Sequence, residues 1–546
     1  MRRALEFLAG SLPGLPVGRS ALWAPLVCAC CVGASVRPVA AQQCPDGTPP
    51  PCGSRATARG AAPARNSVAV LYFENLSRDT SDAYLADGLT EELTARLGQV
   101  GRLVVTSRAA VRYARAAAAS LSVAQLGRVL NATYLLSGSA RRAGPHVRVT
   151  VELVRAATGE RVWGEQYDRE NADLLALQEE IARAVATGIA GRLLPAEQRT
   201  LAARPTQDPE AFDHYLRGNR LLWIEAEQAV LGAIREYELA IARDPAFGAA
   251  LGRLAYGYGL ALNWAYQPTG LPSDSLLGLG LTTADRAIAT DSTVSDAWLG
   301  RGLVLFFRGL PGDYQPALRA LQRAVALDPR NDAARSTLAT ILRRLGRFDE
   351  AEQEYQRAQA INPARVQAVA DLGFLAISRR QYRLAVQLYD RAIALDTTVA
   401  SSYRFRGVAR AALGDHAGAL VDAATQLRLS GSAGRTSALL TVAEMTALDG
   451  DTAAARRGLD EVLATVGWGR GGSPGVVGVR VGYAVALAAI ALGDRELALS
   501  ALERTRPRGP WLWSYLIFPG FDPIRSDPRF RAVYLEAKPA GAPDPP

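Results

Sequence analysis

In 546 residues the chain has one lysine, Lys538, and three histidines, His146, His214 and His416, which lie far apart. The formal net charge of +9 is therefore carried almost wholly by arginine. That bias, with abundant alanine and glycine, reads as a GC-rich coding preference. The positive residues are spread along the chain with no block of like charge, and a nucleic-acid face would cluster them, so no nucleic-acid partner is expected. All five cysteines, Cys28, Cys30, Cys31, Cys44 and Cys52, precede Gly53. This excludes a zinc ribbon or a thiol enzyme in the body of the protein. There is no GxxxxGK[ST], no kinase motif set and no HExxH, so the sequence predicts neither a cofactor nor a metal site. Gly467, Gly469 and Gly472 fit GxGxxG, and Gly471, Ser473 and Gly475 fit GxSxG. No strand leads into either, Pro474 follows the serine, and no histidine lies beyond His416, so both read as a plain loop.

What is present bounds the class. Apolar residues make up 49% and charged residues 21%, as in folded soluble proteins, and the length suggests three or four units. The first 41 residues read as a signal peptide or signal anchor. Arg2, Arg3 and Arg19 precede an apolar run from Ala21 to Val36, and Val39-Ala40-Ala41 offers a cleavage site before Gln42. The run is short for a membrane-spanning helix and is interrupted by Pro25. Cleaved export, a retained membrane anchor through residues 21–36 and lipidation at Cys30 all remain open, placing the protein in the periplasm or envelope. Residues 42–66 form a Pro-rich linker. Within it Cys44 and Cys52 either close a small disulfide loop in an oxidising compartment or stay unpaired.

Residues 67–195 alternate strand and helix signals. Val68–Phe73 fits a buried strand, Asn75–Ser81 is polar and turn-like, and Leu85, Leu89, Leu93 and Leu97 share a helical stripe. Ser122 is placed to cap a helix. Val147, Val149, Val151 and Leu153 alternate with Arg148, Thr150 and Glu152 after the turn Ala143–His146, as in a hairpin with one wet face. Leu174, Leu177, Ile181 and Val185 mark a final helix. The order β-α-β-α-β-β-β-α is that of an α+β domain, and residues 192–207 read as a connector.

The stretch from Asp332 to Ser430 aligns on itself at an offset of 34. Ala339, Gly373 and Gly407 coincide, as do Ala351, Ala385 and Ala419, then Ala358 and Ala392. Tyr355 falls on Tyr389. A fixed period with small residues at set places is the mark of stacked helix pairs, because small side chains let two helices approach closely. Weaker copies extend the pattern over residues 208–505, about eight pairs. Residues 506–546 are aromatic, with Trp511, Trp513, Tyr515, Phe518, Phe521, Phe530 and Tyr534. They read as a cap on the last repeat, with a hydrophobic docking patch as the alternative.

Two family resemblances follow from these residues. The 34-residue array resembles tetratricopeptide repeats, which implies an all-α right-handed superhelix that binds proteins or peptides. VAVLYFENLSRD at 68–79, YLADGLTEEL at 84–93 and the stretch 135–169 resemble the TolB amino-terminal-like domain. That resemblance implies an α+β module with no known chemistry. It often follows a kinase, a cyclase or a DNA-binding domain, and only 66 residues precede it here.

The candidate sites are few. By the tetratricopeptide resemblance, the inner face of the regular repeats carries Ser336, Thr340, Arg343 and Arg344, then Gln367, Phe374 and Ile377, then Ser401, Arg404 and Val408. Arginine presents a fork of donors suited to carboxylates, so the expected ligand is a peptide with an acidic group beside an apolar side chain. The alternative is an ordinary solvated groove. In the α+β domain Asp87 and Glu91 share a helix face and provide a ligand or acid/base site, or else complement the helix dipole. Arg141-Arg142 either holds an anion or decorates a turn, and Trp163 reads as a core or edge aromatic. With no catalytic motif in context, the sequence predicts a non-enzymatic interaction scaffold of the bacterial cell envelope. The alternative is a regulatory or enzymatic envelope protein working through Asp87 and Glu91. Oligomeric state and the identity of the partner are not written in the sequence.

Overall fold

The structure, a computed structural model, describes residues 64–544 except 107–109, 112–113, 115–120, 145, 171–172, 223–226, 264–272, 309–311, 364, 469–476 and 507–508. The candidate signal, the lipidation and disulfide cysteines, nearly all of the linker and most of the Gly-rich run lie outside the described residues. Among the described residues no helix is long and apolar enough to cross a membrane.

The amino-terminal part is a mixed sheet with helices on both faces. Strand β1 (Ser67–Val70) pairs in parallel with β3 (Val104–Val105) and with β4 (Tyr134–Ala143). The sheet continues antiparallel through β5 (His146–Arg155) and β6 (Arg161–Glu170). The alternation in β5 works as read: Val147, Val149, Val151 and Leu153 are buried, and Arg148 and Thr150 face out. Val68 and Val70 face one core, with Leu85, Leu89, Leu93 and Leu97 of α1 (Ala83–Gly98). Ala69 faces the other, with Leu126 of α2 (Val123–Val129). Ser122 caps α2 with a reciprocal capping box to Gln125. Helix α3 (Leu174–Ala190) closes the first core through Leu177, Ile181 and Val185.

Two local expectations change. The polar stretch after Phe73 contains a two-residue strand β2 (Glu74–Asn75), paired in parallel with Ser139 and Ala140 of β4. The connector at 192–207 contains helix α4 (Pro195–Ala202), started by Pro195 and the Glu197 side chain on the Leu194 N–H. It is fastened by a bidentate pair from Arg102 to Glu197 (2.8 and 2.6 Å) and by Arg96 donating to the carbonyls of Leu201 and Ala203. Long-range pairing of this kind leaves no local periodicity to read.

Eight helix pairs follow among the described residues. They are α5 (Pro209–Leu222) with α6 (Glu227–Arg243), α7 (Gly248–Asn263) with α8 (Ser273–Thr290), and α9 (Ser295–Arg308) with α10 (Tyr314–Leu327). The regular repeats are α11 (Asp332–Arg344) with α12 (Phe348–Ile361), α13 (Val366–Ser378) with α14 (Tyr382–Leu395), and α15 (Ala400–Ala412) with α16 (His416–Leu429). The last two are α17 (Ser432–Leu448) with α18 (Thr452–Thr465) and α19 (Val479–Ala491) with α20 (Arg495–Arg504). The small residues do what their size allows. Ala351, Ala385, Ala419, Ala358 and Ala392 are fully buried. A Cβ on Gly373 would sit 2.8 Å from the Tyr389 ring, and one on Gly218 would sit 2.6 Å from the Tyr237 ring. The repeat thus packs the ring of its second helix against a side-chain-free spot on its first. The core of the sheet runs on into the array through Phe212, Tyr215 and Leu216, with Gly88 of α1 set closely against Leu216.

Candidate functional site

The inner helices α11, α13, α15, α17 and α19 face a segment of the same chain. That segment is α21 (Pro510–Leu516), a 3-10 turn (Pro519–Ile524) and α22 (Pro528–Ala537). Helix α21 contacts both α11 and α19, and the 3-10 turn contacts α19. Leu512, Trp513, Leu516, Ile517, Phe518 and Phe521 are buried in one core with Phe374 and Ile377. The aromatic end does cover the last repeat: α22 packs on α20, and Arg529 pairs with Glu496 and Glu503. It also turns back into the groove of the regular repeats.

The contacts are specific. Phe518 lies 4.6 Å from Phe374 between ring centroids, Tyr515 lies 5.7 Å from Phe374, and Tyr515 stacks on Tyr483 at 4.3 Å. Trp513 stacks on Phe348 at 6.1 Å. Such pairs add about 0.5–1.5 kcal/mol each beyond area burial. The Arg344 guanidinium lies between Phe306 (4.1 Å) and Trp511 (5.2 Å). Burial pushes its pKa down to about 10, which still leaves it charged at neutral pH.

The sequence-predicted residues meet at this place, but beneath the segment rather than facing solvent. Arg343, Arg344, Ser336, Phe374 and Ile377 are buried, Thr340, Arg404 and Val408 are half-buried, and Gln367 and Ser401 are exposed. Arg343 lies 3.8 Å from the Asp371 carboxylate, with its guanidinium carbon 3.9 Å from the Phe374 ring centroid. Asp371 also accepts from Thr340 (3.3 Å) and Gln367 (2.9 Å). Arg343 Nε and Nη1, Arg344 Nη1 and Ser336 Oγ have no hydrogen-bond partner among the described residues. Arg404 lies 4.9 Å from the Tyr483 ring centroid, and it acts on the buried Glu444. Burial raises the Glu444 carboxyl to about 7 against the pull of Arg404.

One groove residue was not foreseen. After α11, α15, α17 and α19 the chain turns through Gly346, Gly414, Gly450 and Gly493, all at positive φ. After α13 the same left-handed position is Arg380, at φ +60°. A side chain there costs about 1–2 kcal/mol relative to glycine. Arg380 donates to both carboxylate oxygens of Asp522 in the segment (2.7 and 2.8 Å) and to the Tyr382 hydroxyl. Burial opposes the Asp522 charge, but hydrogen bonds from Arg380 and Arg525 outweigh it and hold the carboxyl below its usual range. The signal was a break in the repeat, Gly346–Arg380–Gly414 at a spacing of 34.

In the α+β domain Asp87 pairs with Arg220 of α5 at 3.4 Å, and Glu91 is buried where α1 meets α5. Arg142, read as half of a turn pair, reaches Asp82 and Asp213, and the Tyr84 hydroxyl donates to Asp213 at 2.6 Å. These groups fasten the sheet domain to the array. Among the described residues no cluster of three or more His, Cys, Asp and Glu is placed to hold a metal ion.

Comparison with known proteins fits this division. A tetratricopeptide repeat family model matches residues 311–372. Within the helical array, residues 311–372 are tetratricopeptide repeats. The model of the HilA/YgeH-like transcriptional regulator second domain matches residues 64–184. A putative adenylate cyclase 3 of Rhizobium meliloti is 32% identical over 234 residues, which are 42% of this chain and 38% of that protein. The chain thus spans well under half of that relative's length. Among solved structures, PilF of Pseudomonas aeruginosa is 22% identical and covers 39% of this chain and 90% of its own (TM-score 0.29). A tetratricopeptide protein of Thermus thermophilus is 18% identical and covers 37% and 98% (TM-score 0.30). One from Parabacteroides merdae is 12% identical and covers 54% and 100% (TM-score 0.34).

Proposed function

We propose that this protein is a non-enzymatic interaction scaffold of the bacterial cell envelope that binds a protein or peptide through the repeat groove. Tetratricopeptide repeat proteins are in general interaction scaffolds. The observation that carries the reading is the inner face at α11, α13 and α15. There the buried Arg343 lies over an aromatic anchor, Phe374, and a segment of the same chain already fits against that ring. The array takes a right-handed superhelical course in this reading, as its family resemblance implies. Export rests on Arg2-Arg3, the apolar run 21–36 and the small residues at 39–41. Amino-terminal sequencing of envelope material should begin at Gln42, and an intact Met1 in the cytoplasmic fraction would refute export. The scaffold reading is tested by cross-linking the protein in cells and recovering it with its neighbours. A stoichiometric partner lost on Arg404→Glu supports it; a folded protein that retains no partner at any salt concentration contradicts it.

A second, regulatory reading is favoured by the sequence kinship with a transcriptional-regulator domain and with a putative cyclase. The TolB amino-terminal-like resemblance of residues 67–195 agrees with a regulatory module. Asp87 and Glu91 are the groups it would use, although their engagement at the domain interface suits a fastening role better. Turnover of a nucleotide or sugar substrate that disappears in Asp87→Asn/Glu91→Gln would establish this reading over the first.

A further inference from the structure

From the geometry of the groove we infer that the segment Gly509–Arg525 is a displaceable internal ligand. The partner it stands in for is a peptide with the same pattern: aromatic residues at i, i+2, i+4 and i+7 followed by a carboxylate at i+11. The inference rests on the scaffold reading and deepens it. In this chain those positions are Trp511, Trp513, Tyr515, Phe518 and Asp522.

Two independent observations point to a latch rather than a permanent part of the core. The first is Arg380. Every other inner helix of the regular and later repeats is followed by a glycine in the left-handed conformation, and only here is a side chain accepted at that position. A strained residue persists where its side chain does something the relaxed one cannot, and here it grips Asp522 with two hydrogen bonds. The second is the state of Arg343 and Arg344. Both are buried beneath the segment with N–H donors left without a partner. The segment sets the Trp511 ring 5.2 Å from Arg344, while Arg343 lies against Phe374 and Asp371 of α13; among the described residues the segment brings no carboxylate to either cation, so the site is under-satisfied with its own occupant. A partner that repeats the aromatic spacing and supplies one more acidic group can win the groove. Because the internal ligand competes at roughly millimolar effective concentration, the closed protein binds such a peptide weakly.

The test uses the full-length protein and a fluorescein-labelled synthetic peptide with the sequence of residues 509–525, followed by anisotropy. Arg380→Gly relieves the strained turn while cutting the latch, so it preserves the fold. It should bind the peptide at least tenfold more tightly than the parent, and protease should cleave the chain within 507–525 faster. Phe518→Ala in the chain is a second way to open the groove and should act in the same direction. Adding Phe374→Ala to Arg380→Gly should abolish the gain. If both opened variants keep their parent circular dichroism and bind no tighter than the parent, the inference is overturned, and scaffolding through another surface still stands. If the opened groove binds the peptide while neither the parent nor the opened variants retain a cellular partner, the segment is an internal ligand of the groove and the scaffold reading falls.

Discussion

Gly373→Ala and Gly278→Ala form a pair that isolates the packing rule of the array. Both glycines lie inside helices, α13 and α8, where alanine is intrinsically favoured by about 0.8–1.0 kcal/mol. At Gly278 an added Cβ meets nothing within 4 Å, so the propensity gain stands alone. At Gly373 the same carbon would lie 2.8, 2.9 and 3.1 Å from three atoms of the Tyr389 ring. That ring is fully buried and stacked on Phe405 at 6.1 Å, so it has little room to withdraw. Overpacking of this kind costs about 1–3 kcal/mol, which exceeds the propensity gain. Urea unfolding should therefore show Gly278→Ala stabilised by about 0.5–1 kcal/mol and Gly373→Ala destabilised by up to about 2 kcal/mol. Equal shifts of the same sign in the two variants would refute the helix-crossing register.

Other outcomes follow from the same contacts. Ala351→Phe, at a fully buried crossing, should lose about 1–3 kcal/mol, while Glu352→Phe removes only a half-exposed pair with Arg379 and should lose less; equal melting temperatures would refute this. Asp422 is buried and accepts from Arg406 and Arg410, so Asp422→Ala should cost about 3 kcal/mol in denaturant melts; a loss below about 1 kcal/mol would show that the pair carries little. Burial raises the folded Glu444 carboxyl from 4.5 to about 7, so its contribution to stability is fully present below about pH 4.5 and is lost as pH rises through about 7. Glu444→Gln should then gain on the order of 2 kcal/mol relative to the parent between pH 5 and pH 8, measured by thermal melts in matched buffers; a constant difference across that range would contradict it.

Much of the architecture was legible because it is written in local periodicity. The alternation from Val147 to Leu153 and the four-residue spacing of Leu85, Leu89, Leu93 and Leu97 each bury one face. The 34-residue recurrence of Ala351, Ala385 and Ala419 reports a crossing that cannot take a larger side chain. What was not legible depends on contacts between distant parts of the chain. Strand β2 exists because Ser139 and Ala140 lie beside it, and α4 is held by Arg96 and Arg102. The period places Arg343 and Phe374 on inner helices, and the structure sets one over the other, but nothing in a 34-residue period says that residues 511–522 return to cover them. The aromatic end was visible as composition, yet its destination required Asp522 and Arg380 to be seen 142 positions apart. Asp87 and Glu91 show the reverse: their spacing suggested a ligand or acid/base site, and their contacts make them part of the seam between sheet and array.

The most direct measurement of the central claim, that the groove is a binding surface covered by the chain's own end, is amide hydrogen exchange with and without residues 507–546. The account predicts that α11 and α13 lose at least tenfold in protection when the end is removed, while α7, remote from the segment, is unchanged. Unchanged protection in α11 and α13 would contradict it.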